Sequence, residues 1–154
     1  MCDLHHDKCK SKWSEAGALI ILLSALFGTF NSTEANTIDV PNEIYFAKGS
    51  SELNDVAHVR IEKQAAFLRN FDCYKAIVEG HTDRTGTDLF NKKLSLIRAR
   101  VVRYELIRLG VSADRIGVIG YGSERPYCQT DMSETCQSQN RRTMGIVTNG
   151  AECN

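Results

Sequence analysis

From Phe90 to Leu109 the chain contains neither Gly nor Pro, and it closes at Gly110, which predicts one long helix with a glycine stop. On a wheel at about 100° per residue, Leu94, Ala99, Val102, Leu106 and Leu109 share one stripe. Arg98 falls inside that stripe, between Leu94 and Val102. A guanidinium on the core side of a helix keeps its proton and is costly to leave unpaired. Any fold of this chain must therefore bring an anion to Arg98. Arg100, Arg103 and Arg108 lie toward other faces, where solvent satisfies them.

Strand patterns flank this helix. Lys75 to Gly80 (KAIVEG) puts Ala76 and Val78 on one face and Ile77 on the other, and HTDRTGTD follows as a polar turn. Upstream, Glu43 to Phe46 (EIYF) reads as a short strand. Asn54 is a candidate N-cap for an amphipathic helix over Asp55 to Phe71, with Val56, Val59, Ala66, Phe67 and Leu68 as its apolar positions. Downstream come a strand from Arg115 to Tyr121, a polar loop ending in SQNRR, and a last strand from Thr143 to Thr148. The order β-α-β-α-β-loop-β predicts an α+β fold, an α/β sandwich in which helices cover one face of a mixed four-stranded sheet.

The length of 154 residues fits one domain at ~100 to 150 residues each. With 42% hydrophobic residues the chain is too apolar to be disordered. The fold does not use all of it. Lys8, Lys10 and Lys12 precede an uncharged run, Ala16 to Phe30, and the polar NSTEAN follows. This layout predicts a secretory signal cleaved after Ala35, or an uncleaved signal anchor; either way the remainder is exported. The expected organisation is residues 1–35 as signal peptide or anchor, 36–42 as linker, 43–150 as the domain and 151–154 as a tail. No Cys follows the uncharged run at a cleavage point, so a lipoprotein signal is not expected. Cys2, His5, His6 and Cys9 have the residue types of a metal site, but they precede the apolar run with no fold around them, so no metal is expected.

The exported part keeps Cys73, Cys128, Cys136 and Cys153, an even number in an oxidising compartment. Cys128 and Cys136 share the polar loop and are the expected disulfide, which leaves Cys73 with Cys153.

Asp83 lies at the C-terminal end of the second strand, where open α/β sheets place ligand sites. Two readings of Asp83 with Arg98 stand side by side. They neutralise each other as a structural ion pair, or they share a zwitterionic ligand, the carboxylate taking an ammonium and the guanidinium a carboxylate.

The ordered set Gly80-His81-Thr82-Asp83, Thr85-Gly86, Asn91, Leu94-Ser95 with Arg98-Ala99, Gly120-Tyr121-Gly122, Pro126 and Asn140-Arg141-Arg142 resembles the OmpA-like peptidoglycan-binding domain. Outer-membrane protein A, the peptidoglycan-associated lipoproteins and flagellar stator proteins share that domain. The resemblance covers about Ile44 to Val147 and looks closest to the peptidoglycan-associated lipoprotein group, without its lipid-bearing Cys. It implies non-covalent binding of the peptidoglycan stem peptide through meso-diaminopimelate, in the periplasm or cell envelope of a Gram-negative bacterium. Asp83 matches the residue that holds the ammonium and Arg98 the one that holds a carboxylate. Asn91 and Arg141 match pocket positions, and Thr82 and Leu94 match lining positions. An Asp usual just after the first strand is here Ala47, in Phe46-Ala47-Lys48.

Other classes fit less well. No hydrolytic constellation is present, a lone His81 beside Asp83 reads as structural, and no cofactor is implied. Arg84 to Arg108 is basic, but export and the lack of interleaved aromatics argue against nucleic acid. The alternative role is an accessory subunit of an envelope complex of Tol-Pal, flagellar stator or secretion type that mainly docks a protein partner. The membrane is then met only through the N-terminal segment.

Overall fold

Residues 42–149 are described by the computed structural model. The expected leader, most of the linker and the tail with Cys153 lie outside them. In chain order the elements are β1 (Glu43–Tyr45), α1 (Asp55–Asn70), β2 (Tyr74–Gly80), α2 (Asp88–Arg108), β3 (Ile116–Gly120), α3 (Glu134–Asn140) and β4 (Arg142–Asn149), with a 3-10 turn at Ala113–Arg115 before β3. The sheet order is β1-β4-β2-β3. β2 and β3 run parallel through the α2 crossover, and β4 is antiparallel to both β1 and β2. This is the mixed four-stranded sheet of an α+β fold. Among the described residues no helix is long and apolar enough to cross a membrane.

Strand alternation sorts the sheet into two faces. Ala76 and Val78 of β2, Ile44 of β1 and Ile116 of β3 are buried toward the helices. There they meet Ile61, Ala65 and Leu68 of α1 and Ala99, Val102 and Leu106 of α2 in one core. Tyr45, Ile119 and Ile146, at alternate positions, point away from it and are exposed.

The long helix obeys its wheel, with Leu94, Arg98, Ala99, Val102 and Leu106 all buried. The first helix is turned from its expected phase. Its buried residues are Ala57, Ile61, Gln64, Ala65 and Leu68, while Val56 and Val59 face solvent. The i, i+4, i+7, i+8, i+11 stripe is narrow because Ala57 and Ala65 are small, and two exposed valines mask it in a hydropathy pattern. Asn54 caps α1 as expected, its side chain accepting from the Ala57 amide at 2.8 Å. The stretch read as irregular before the last strand contains α3, capped by Ser133. Its sequence ETCQSQN has no apolar period, so tertiary contacts rather than pattern make it helical.

Two glycines set how closely α2 lies on the sheet. A Cβ on Gly80 would stand 1.9 Å from the Ser95 carbonyl oxygen, and one on Gly120 would stand 2.7 Å from the Leu96 amide nitrogen. Ser95, fully buried, uses the same contact to accept from the Gly122 amide at 2.8 Å. The helix is thereby seated over the C-terminal ends of β2 and β3, with Asn91, Leu94 and Arg98 above the turn that carries Asp83. Gly80→Ala forces backbone against backbone and is expected to destabilise the fold by about 3 kcal/mol, read as a lowered urea midpoint with an unchanged slope.

Candidate functional site

The chain leaves β2 at His81, whose amide donates to the Arg142 carbonyl, and Thr82, whose amide donates to the Gly122 carbonyl, both at 2.9 Å. These bonds extend the ladder by two residues and fix the direction of the next side chain. Asp83 then closes a turn on itself, its Oδ1 accepting from the Thr85 amide at 3.1 Å and from the Thr85 hydroxyl. Gly86 follows at φ 92°, in the left-handed region that favours glycine. Thr87 caps α2, so Asn91 lies inside the helix, 2% exposed, and is not its cap.

Arg98 is fully buried, and its anion is not a side chain in contact with it. Nε donates to the Ser50 carbonyl at 2.8 Å, Nη1 to the His81 carbonyl at 2.9 Å and Nη2 to the Ala47 carbonyl at 3.0 Å. Phe46 lies under the guanidinium, 5.0 Å from its ring centroid. The ion-pair reading of Asp83 with Arg98 is thereby corrected. Three carbonyl dipoles converge where an acid was expected, and the Asp83 Oδ2 bonds Arg141 Nη1 at 3.2 Å instead. Asp83 still acts on Arg98 through space. Burial pulls the Arg98 guanidinium down to about 10, against the attraction of Asp83, and Arg141 adds repulsion. Desolvation raises the Asp83 carboxyl, but Thr85 and Arg141 together hold it below the ordinary carboxylate value.

Thr82, Asp83, Asn91, Leu94 and Arg98 line one cavity of about 180 Å³ together with Lys48. Arg141 stands behind Asp83, bridging it to Glu134 and donating through Nε to the Phe46 carbonyl at 3.3 Å. All six expected residues are therefore gathered, five on the cavity wall and Arg141 behind it. A larger groove of about 570 Å³ runs past Val56 and Val59 between β1 and α1 and holds none of them.

Three contributors were not legible beforehand. Glu134 pairs with Arg141, Gln137 accepts from the Arg84 amide at 3.0 Å, and Lys48 stands on the cavity wall. Glu134 and Gln137 belong to α3, which no pattern announced. α3 is held by the expected disulfide, Cys128 to Cys136, with Cα atoms 5.3 Å apart. Asn140 exchanges two hydrogen bonds with the Cys128 backbone, at 2.9 and 3.0 Å. Cys73 is disulfide-bonded too, and the expected pairing with Cys153 falls outside the described residues.

A model of the OmpA family matches residues 45–141. The chain belongs to the OmpA family. It is 37% identical to the peptidoglycan-associated lipoprotein of Brucella melitensis biotype 1, over 84% of this chain and 76% of that one. It is 34% identical to outer membrane porin F of Pseudomonas aeruginosa, over 73% of this chain but 32% of the porin. Among solved structures, the peptidoglycan-associated lipoprotein of Burkholderia pseudomallei aligns with TM-score 0.70 and 26% identity, over 75% of this chain and 98% of that one. The C-terminal domain of Helicobacter pylori MotB shares the fold at TM-score 0.65 and 24% identity, over 71% of this chain and 87% of that one.

His81 supports the site from beneath. Its ring is 2% exposed and stacks on Tyr121 with centroids 5.6 Å apart, while Glu79 approaches its Nε2 only to 4.0 Å. Burial, then the charges of Arg142 and Arg125, lower it to about 4. The folded protein thus keeps His81 neutral where the unfolded chain, titrating near 6.5, takes up a proton. Stability from this group is full above about pH 6.5 and is lost as pH falls toward about 4, by about 3 kcal/mol in all. His81→Phe is expected to flatten that slope, measured by urea unfolding at a series of pH values between these limits.

Proposed function

We propose that this domain binds peptidoglycan non-covalently, at the meso-diaminopimelate of the stem peptide, and so tethers the envelope, or a complex within it, to the cell wall. The observation that carries this reading is the pairing of opposite charges on one cavity wall, Asp83 and Arg98. A guanidinium has five N–H donors, and Arg98 spends three on carbonyls. The remaining two suit a ligand carboxylate, and ionised Asp83 suits the ammonium a short distance away. An amino-acid end carries both charges, and diaminopimelate presents such an end on a side chain.

The other residues follow from chemistry. Asn91 offers a neutral donor and acceptor, Leu94 an apolar contact for the methylene chain, and Thr82 a backbone edge. Arg141 keeps Asp83 ionised and adds positive charge for peptide carboxylates. Ala47 has no side-chain acceptor, and its carbonyl is committed to Arg98. The names of the lipoprotein relatives support the cell wall as target. The disulfide supports an oxidising compartment, the periplasm or envelope. The action is binding without catalysis: neutral His81 lies against Tyr121 and is not on the cavity wall. The exposed sheet face at Tyr45, Ile119 and Ile146 favours a second role, docking of an envelope protein partner.

Calorimetric titration with a diaminopimelate muropeptide and its lysine counterpart tests the proposal. Lysine keeps the ammonium and lacks the extra carboxylate, so selectivity reports Arg98. Asp83→Asn and Arg98→Lys, both verified as folded, are expected to weaken binding by about tenfold or more. A folded wild type that binds neither peptide overturns the assignment and leaves partner docking as the role.

A further inference from the structure

Arg141 is a buried cation whose outer nitrogen is occupied by an exposed acid. Its side chain is 7% exposed, and the guanidinium is fixed on its inner sides by the Phe46 carbonyl and the Asp83 carboxylate. The remaining Nη2 meets Glu134, whose side chain is 71% exposed. Glu134 sits in the first turn of α3, so its backbone is held while its carboxylate reaches over the surface. Lys48 is an exposed cation of the same region. It lines the Asp83–Arg98 cavity from the loop after β1, and its charge adds to the Arg141 hydrogen bond in lowering the Glu134 carboxyl. Arg141 is thus closed on its outer side by one carboxylate that is open to water, with the charge of Lys48 acting on it through space.

We propose that Glu134 is a displaceable occupant of a second carboxylate subsite at Arg141, and that a second carboxylate of the bound peptide takes its place. This rests on the cell-wall reading. Displacement exchanges one Arg–carboxylate contact for another, so Arg141 never stands buried and unpaired. Asp83 keeps its partner throughout, because Nη1 is not involved. Glu134 then acts as a built-in competitor that lowers apparent affinity and restricts it to ligands with a carboxylate in the right place. A peptide whose corresponding group is a carboxamide has no charge with which to displace it.

A purely structural Glu134 predicts the opposite result, since loosening Arg141 and α3 would weaken the site. The test is titration of the full chain with a free diaminopimelate tripeptide and with counterparts each carrying one carboxamide, for wild type, Glu134→Gln and Glu134→Asp. Glu134→Gln removes the competing charge at constant size and is expected to bind the free peptide roughly threefold to sixfold more tightly. Glu134→Asp keeps the charge but shortens its reach, and is expected to show most of the same gain. The gain vanishes for the one carboxamide that replaces the displacing group. No gain in Glu134→Gln, or a gain kept by every carboxamide, overturns the proposal. A gain in Glu134→Gln absent from Glu134→Asp assigns the effect to long-range repulsion and overturns it too. Failure of wild type to bind any peptide removes the cell-wall reading itself, an outcome distinct from binding without a gain.

Discussion

A guanidinium that cannot give up its charge is buried in the middle of this domain, and three backbone carbonyls meet it there. Two belong to the loop after β1, Ala47 and Ser50, and one to the end of β2, His81. Arg98 therefore joins α2 to the loop after β1 and to the chain leaving β2. The arrangement explains why Lys48 and Asp83, 35 positions apart in the chain, line one cavity. Burial costs the guanidinium solvation, and the carbonyl dipoles replace it without consuming an acid. Asp83 is thus left ionised beside a cation it does not contact. The cavity wall therefore carries two charges of opposite sign that do not contact each other; a direct Asp83–Arg98 pair would have joined them.

Keeping those charges apart requires a second cation. Arg141 takes one oxygen of Asp83 and Thr85 takes the other, so the carboxylate is both ionised and aimed. Arg141 is in turn held by the Phe46 carbonyl and by Glu134. The sequence of contacts runs from core to surface, with burial falling at its end: Arg98 and Asp83 are enclosed, and Glu134 is open to water. Exchange with a ligand is cheapest at the open end, where an ion pair is worth least.

The parts legible in the amino-acid chain were those set by strong local physics. The α2 stripe was readable because five apolar residues and one arginine share a face over a run without Gly or Pro. The β2 strand and the Asp83 turn were readable from alternation and from Asp, Thr and Gly at turn spacing. What Arg98 binds was not, because backbone carbonyls leave no trace in residue identity. The phase of α1 was obscured by Val56 and Val59, which are apolar yet exposed. α3 was hidden for a different reason: a seven-residue polar helix has no period to detect, and it exists because Ser133 caps it, Asn140 holds Cys128, and the disulfide closes the loop.

That hidden helix carries the most consequential difference between resemblance and structure. The ordered set read from the chain contains Asp83, Arg98 and Arg141 but neither Glu134 nor Gln137, which lie in α3. Gln137 reaches the Arg84 amide, one residue past Asp83, and also donates to the Asp131 carbonyl at 3.1 Å. The Asp83 turn is therefore braced from α3 on one side and from Arg141 on the other. Cross-linking residues 128 and 136 restricts where α3 can lie when no ligand is present. A turn held in its binding geometry before the ligand arrives loses less entropy on binding. The segment from Cys128 to Asn140 is thus what braces the Asp83 turn and pairs the outer side of Arg141.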